Sequence, residues 1–438
     1  MQKNIFSGLG IVFTVAVALC SCSSDKVLPQ GKRISVLANE TIIKPEVANN
    51  TSQIKIAKTE PVNEWLQYDY NDTHILPNIK IGSEFKKQWK SDFGTGSSKR
   101  EFLLSRPLVK DNKVYTLDAE GVLSAFKLSN GENIWKIRLE SANSKIDSSA
   151  IKGAGLAIDN NTIFATTGFG VVVAINAKDG SKIWEKNLKS ALRIAPLATN
   201  GKVFVQSVDN EVYALDAQSG EILWNAGIAL ENTKMVGGAV PAYNKSLDTI
   251  LIGFSSGEIQ AFNASIGTPL WSDIMVSNHQ AYSSTFLHTI KASPVIEGET
   301  AYIIGSSDVF AAIDMRSGTR LWEKEIGSVN TPLLSGNTLF IVSNDNELIA
   351  LDKNNGKVIW ATPIEIFDKP ANVVVYAPII SDNKLLVAMS DGHVALYDPY
   401  SGKRVSVTDI DEEINSSPIA VKGYIIFTTA NAKIIAYK

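Results

Sequence analysis

The 438-residue sequence holds only two cysteines, Cys20 and Cys22, both near its start. From residue 23 onward there is none. That excludes a disulfide framework, a cysteine-ligated zinc site and an iron–sulfur cluster in the body of the protein. The four histidines, His74, His279, His288 and His393, do not cluster. His279 and His288 share one segment but lack the three- or four-residue spacing of metal ligands, so no metal site is expected. Neither sign of charge dominates: 42 Lys and Arg stand against 45 Asp and Glu, a net charge of −3. A chain without a basic field is not built to bind nucleic acid. There is no G-x-S-x-G, no HExxH and no P-loop, so no catalytic residue is nominated. With 45% hydrophobic residues the chain can bury a large core, which excludes wholesale disorder.

The apolar run at residues 9–19 is shorter than the ~20 residues of a membrane-spanning helix. Lys3 precedes it and Ser23-Ser24-Asp25-Lys26 follows it, the order of a secretory signal peptide. Leu19-Cys20-Ser21-Cys22 resembles a bacterial lipobox, with Leu19 at −3, small Ser21 at −1 and Cys22 as the modified residue. Choosing Cys20 instead would put bulky Leu19 at −1. The resemblance implies a lipoprotein signal peptide over residues 1–21, acyl chains on Cys22, and, with Ser23 rather than Asp after it, an outer-membrane destination. Several acyl chains hold a protein on a membrane far more firmly than one. Cleavage by signal peptidase I near Ala18, giving a free periplasmic protein, is the alternative. Residues 22–63 are polar and rich in Asn, Lys and Thr, with no sustained period, and read as a lipid-anchored flexible tether.

The rest is a repeat. Six phrases end at Trp135, Trp184, Trp224, Trp271, Trp322 and Trp360. Each has Gly four residues and Ala ten residues before the Trp, as in VYALDAQSGEILW. A seventh phrase keeps Gly402 but has Ser406 in the Trp position. Each phrase is strand–turn–strand, with the Gly at a position of positive φ. Upstream of each lie two more short apolar runs, led by a Pro in every unit but the one ending at Trp184. Four antiparallel strands, A to D, per period of about 45 residues is the signature of a β-propeller blade. The last unit has strands A, B and C but no Trp strand, whereas Phe85-Lys86-Lys87-Gln88-Trp89 is a Trp strand with no A, B or C before it. The two halves complete one another and bury both sheet edges. Residues 64–438 are therefore expected to form an all-β, eight-bladed propeller of four-stranded antiparallel blades, closed by an N-terminal strand pairing with the C-terminal blade.

Spacing locates the working face. From the strand-A Pro to the hairpin Gly the distance is 24 residues in five of six units and 26 in the other. From Trp89, Trp184, Trp224, Trp271, Trp322 and Trp360 to the next strand-A Pro it runs from 10 to 23. The variation lies in the D-to-A linkers, all on one face of the disc, and clustered insertions mark a binding surface. The repeated Trp residues are expected to pack between blades. Asn130, Asp179 and Asn355 read as turn formers. Asp409, Asp411, Glu412 and Glu413 read as a solvated acidic loop. Leu192 and Arg193 sit on a short linker, and an exposed Leu beside an Arg is the composition of an interface hot spot; an Arg capping the central channel is the other reading.

The A-x-(D/N)-x-x-(S/D)-G-x-x-x-W phrase resembles the PQQ-type propeller repeat. Two families share it: the quinoprotein dehydrogenases, which bind pyrroloquinoline quinone and calcium, and the BamB lipoproteins of the outer-membrane β-barrel assembly machinery. The likeness covers residues 64–438. It includes residues 65–74 (WLQYDYNDTH), similar to the superfamily's W-x-Q-x-G-G-N-x-x-H, with Tyr68-Asp69-Tyr70 in place of its Gly pair. The body lacks the dehydrogenases' vicinal Cys pair and an Asp-Glu-Asn set for calcium and a base. The lipobox, the tether and the Gly96-Ser-Ser-Lys-Arg100 linker look like BamB, in a form similar to its α-proteobacterial members. That likeness implies a non-catalytic scaffold without cofactor, on the periplasmic face of the outer membrane. It would dock the POTRA domains of BamA alongside other assembly-complex members and nascent outer-membrane proteins. Leu192 and Arg193 match the family's Leu-Arg contact pair; the family's acidic contact residues fall near Thr289-Ile-Lys291, where the acids are missing. A PQQ- and calcium-dependent dehydrogenase, or a generic periplasmic ligand-binding propeller, is the alternative.

Overall fold

The computed structural model describes residues 43–47, 54–82, 85–98, 102–139, 153–227, 238–277, 288–367 and 373–438. Among them there is no helix, and the strands sort into eight four-stranded antiparallel blades, with two short strands, Thr59–Glu60 and Asn78–Ile79, added in parallel to the edge of the seventh. Blades 1 to 7 span residues 108–138, 153–187, 197–227, 242–274, 295–324, 333–363 and 379–409. In blade 8, strands Ile419–Val421, Tyr424–Thr428 and Lys433–Tyr437 are completed by Lys87–Asp92, which pairs antiparallel with Lys433–Tyr437. The expected ring and its closure by a strand from early in the chain are both present.

The Trp phrase is a lock between neighbouring blades. Each strand-D Trp sits opposite a fully buried strand-C Ala, as in Ala350↔Trp360 and Ala436↔Trp89. The small residue leaves room for the indole, which leans over the next blade. Its N–H donates to the carbonyl three residues before that blade's hairpin Gly, at 2.8–3.0 Å from Trp89, Trp184, Trp224, Trp271, Trp322 and Trp360. At Trp135 the Tyr115 hydroxyl takes that carbonyl, Ala177, at 3.0 Å, and the indole N–H has no acceptor. The hairpin Gly lies under the ring. A Cβ on Gly356 would stand 2.6 Å from Trp322, and φ there is +66°. Both space and torsion therefore demand glycine.

Blade 7 shows what happens without the lock. Ser406 pairs with Leu396, so the small and large members of the pair have exchanged strands. The blade that a Trp there would reach is blade 8, whose strands C and D come from distant parts of the chain and share no hairpin.

Residues 54–82 form a hub across the A–B end of the ring, bonded to every blade. Trp65 exchanges two backbone hydrogen bonds with Val109 of blade 1, at 2.8 and 2.9 Å. The Leu66 carbonyl accepts from Ile158, the Gln67 amide donates to Ala198 O at 2.7 Å, and the Asp72 and Thr73 carbonyls accept from Tyr243 and Ile296. The Lys55, Ile79 and Val62 carbonyls accept from Asn337, Asp382 and Lys422 of blades 6, 7 and 8. Residues 54–63, read from sequence as part of a flexible tether, are thus packed, with Ile54 and Val62 buried. Further out, Glu46 N–H donates to Val358 O at 2.8 Å on the outer strand of blade 6, and its carboxylate pairs with Lys324 at 2.6 Å. Ile359 on that strand is 3% exposed, whereas its counterparts Leu223, Leu270 and Leu321 are 48–56% exposed on blades 3 to 5.

Gly356→Ala should cost roughly 2–4 kcal/mol in equilibrium urea unfolding, because it adds a steric clash to an unfavourable torsion. Gly201 has φ +72° with no atom near a Cβ. Gly201→Ala should therefore cost only about 1 kcal/mol. Equal losses would show that the ring contact contributes nothing.

Candidate functional site

The D-to-A linkers converge on the face opposite the hub and surround a central cavity of about 210 Å³. Each of the eight inter-blade linkers or the strand start it leads into contributes to the wall, and Tyr68 and Asp69 of the hub form its floor. Most of the wall is apolar or neutral, with Ile194, Val240 and Val329 among its members. Its charged members among the described residues are Asp69, Arg106, Arg193 and Lys291.

Arg106 lies on the floor. Its guanidinium donates to Asp69 Oδ1 at 2.6 Å and to the Tyr68 carbonyl at 3.2 Å, both from Nη1, and from Nη2 to the Ser417 carbonyl at 3.0 Å. It also stacks on the Tyr68 ring, 5.1 Å from the centroid. Both charged side chains are over nine-tenths buried. A buried, multiply bonded pair of this kind fixes geometry more than it adds stability. Here it ties the hub to blades 1 and 8. Sequence reading passed over Arg106; its signal was an Arg directly before the strand-A Pro107. Nearby, Tyr70 has φ +82° at the second position of the superfamily's Gly pair, so the glycine-like backbone persists without glycine. His74 is buried, with Nδ1 donating to the Pro294 carbonyl at 2.7 Å. Loss of solvation lowers its pKa and keeps the ring neutral.

Leu192 departs from expectation. It was read as exposed, yet it is 0% exposed and packs with Phe164, Val172 and Val205. Its N–H donates to Thr167 O, and the next carbonyl but one, Ile194 O, accepts from Thr166 Oγ at 2.8 Å. These bonds pull the short linker into the seam between blades 2 and 3. Arg193 alone of the pair is half-buried at the cavity, so the channel-lining reading of this Arg matches its position. Lys291 lines the same cavity, and loss of solvation lowers its pKa. The presumed solvated acidic loop also has a partner: Glu412 forms an ion pair with Lys90 across blade 8. Asp179 and Asn355 accept backbone N–H groups within their own hairpins, as turn formers do. His288 contacts Ser307 Oγ at 2.9 Å. Cys22, His279 and the Lys99-Arg100 end of the first linker lie outside the described residues.

The family model described as outer membrane protein assembly factor BamB matches residues 119–362, more than half of the chain. The outer membrane protein assembly factor BamB of Yersinia pestis is 22% identical over 260 residues, covering 58% of this chain and 65% of that protein. The chain thus spans under two thirds of that relative's length. Among solved structures, BamB from Moraxella catarrhalis superposes with a TM-score of 0.66 at 17% identity, covering 81% of this chain and 98% of that one. A quinohemoprotein alcohol dehydrogenase from Pseudomonas putida gives 0.67 at 14% identity, covering 86% and 80%. At these identities the structural likeness speaks for the fold. The described residues of the cavity do not fit a quinone–calcium centre: the one carboxylate among them, Asp69, is held by Arg106, and no group of three described His, Cys, Asp or Glu could hold a metal ion.

Arg106→Met should destabilise the protein by about 3–5 kcal/mol, because it leaves the Asp69 carboxylate buried and unpaired. Adding Asp69→Asn should recover a substantial part of the loss in the same denaturation assay. A double variant no more stable than Arg106→Met would contradict the pairing.

Proposed function

This chain belongs to the family of the outer membrane protein assembly factor BamB, and we propose that it is a non-catalytic scaffold of outer-membrane protein assembly. The observation that carries this reading is the family match over a propeller whose unequal linkers all gather on one face. That face docks the POTRA domains of a BamA-like protein, with Arg193 as a contact and Leu192 as the buried residue that holds it in place. The supporting geometry is the linker fixed by Leu192 at 0% exposure while Arg193 reaches the cavity mouth. Cys22 carries the lipid that keeps the protein on the periplasmic side of the outer membrane. The exposed apolar residues on outer strands, such as Leu270 and Leu321, suit contact with nascent outer-membrane proteins through strand addition at a blade edge.

Affinity purification from solubilised outer membranes tests the docking. The wild-type chain should recover a BamA-like protein, and Arg193→Glu should reduce the recovered partner about tenfold or more without changing the unfolding midpoint. Leu192→Ala should lower the midpoint, by about 2–5 kcal/mol in stability. Recovery unaffected by Arg193→Glu would remove Arg193 from the interface. Cys22→Ser should move the protein from the membrane fraction to the soluble periplasm and abolish labelling by radioactive palmitate; unchanged fractionation would refute the anchor.

A further inference from the structure

We propose that the mouth of the central cavity binds carboxylate side chains of an acidic peptide segment, held by Lys291 and Arg193. Three observations carry this. First, the charges in the cavity do not balance. Arg106 is neutralised by Asp69, whereas Lys291 and Arg193 have no ion pair or hydrogen bond with any described group. Elsewhere cations of similar exposure are matched, as in Arg320–Asp273 and Lys353–Glu297. Among the described residues the cavity therefore carries two positive charges without a counter-charge, on a chain whose net charge is −3. Second, Lys291 is held there rather than drifting to solvent. Its neighbours Ile290 and Ala292 are each 1% exposed, which anchors the backbone on both sides. Holding a partly desolvated cation without a counter-charge is unfavourable, and an incoming anion relieves it. Third, the hub floors the cavity with Tyr68 and Asp69, so a ligand enters only from the linker face, where the cations sit.

The wall decides between a free anion and a peptide. Ile194, Val240 and Val329 line the cavity together with the polar Asn330 and Ser416. A hydrated inorganic anion would leave the apolar wall uncovered. Acidic side chains interspersed with apolar ones on an extended segment cover both, and its backbone reaches the polar groups. This site shares Arg193 with the docking surface above but does not require that the partner be BamA-like.

The test uses purified full-length protein and a fluorescein-labelled peptide of alternating Glu and Leu, read by anisotropy at about 50 mM salt, where screening is weak. The peptide should bind saturably, and its Gln-for-Glu counterpart at least about tenfold more weakly. Lys291→Met and Arg193→Met should each weaken binding by about tenfold, and Lys291→Arg should retain it. Thermal unfolding serves as the control: Lys291→Met should leave the midpoint unchanged or raise it, since it removes an unmatched charge. Equal binding of the Glu and Gln peptides, or binding insensitive to Lys291→Met, would overturn the proposal. Sodium phosphate that binds saturably where the peptide does not would also overturn it, by making the site one for a small free anion. Failure to recover a BamA-like protein from membranes would leave these outcomes unaffected.

Discussion

Every blade of this protein except the seventh is tied to the next by an indole ring lying on a glycine. An isolated four-stranded sheet has two apolar faces and two open edges, and it gains stability by stacking against neighbours. The strand-D Trp supplies that stacking and adds one directional bond, to the carbonyl three residues before the Gly. The remaining regularities follow. Ala stands opposite Trp because a larger residue would push the ring off its seat. The Gly–Trp spacing is constant because both positions belong to one hairpin that must present Gly to the blade behind it and Trp to the blade ahead. Where the next blade has no hairpin, the constraint lapses, and Leu396 with Ser406 fills the same space in the opposite sense.

The hub extends the same economy to the axis of the ring. A ring of eight blades leaves an opening at its centre, and residues 54–82 occupy one end of it by bonding to all eight. The Arg106–Asp69 pair fastens this segment to the blade wall from within. The central space is thus a cup rather than a pore, with its rim built from the linkers. Linker length can vary without disturbing the blades, since the locks lie on the outer strands. Specificity at the rim is thereby separated from the stability of the ring.

Much of this was legible in sequence, for a physical reason. The Trp–Gly lock repeats with fixed spacing, so Trp135 to Trp360 announced the blades, and the mismatched halves at Trp89 and Lys438 announced the closure. Non-repeating contacts left no such mark. Nothing around Leu192 distinguishes a hot-spot leucine from a seam leucine, because its burial depends on Thr166 and Thr167 in the neighbouring blade. The polar run before residue 64 has no period, since its order comes from backbone bonds that Glu46, Lys55 and Val62 make to Val358, Asn337 and Lys422, far along the chain. Glu412 found Lys90 across more than three hundred residues. Lys291 was visible only as a missing acid; that no described group offers it a counter-charge depends on what lies around it in space.

Blade 8 and the hub together set an order of assembly. Lys87–Asp92 and residues 54–82 leave the ribosome before any complete blade exists, yet the partners of the first lie at Lys433–Tyr437 and those of the second are spread over every blade. Contacts this distant in sequence form late, after the cost of closing a very long loop has been met. The hub can gain its partners blade by blade, from Val109 of blade 1 onward, whereas Lys87–Asp92 stays without its partner until Lys433–Tyr437 has been made. Until those two strands meet, blade 8 lacks its outer strand and the ring its last wall.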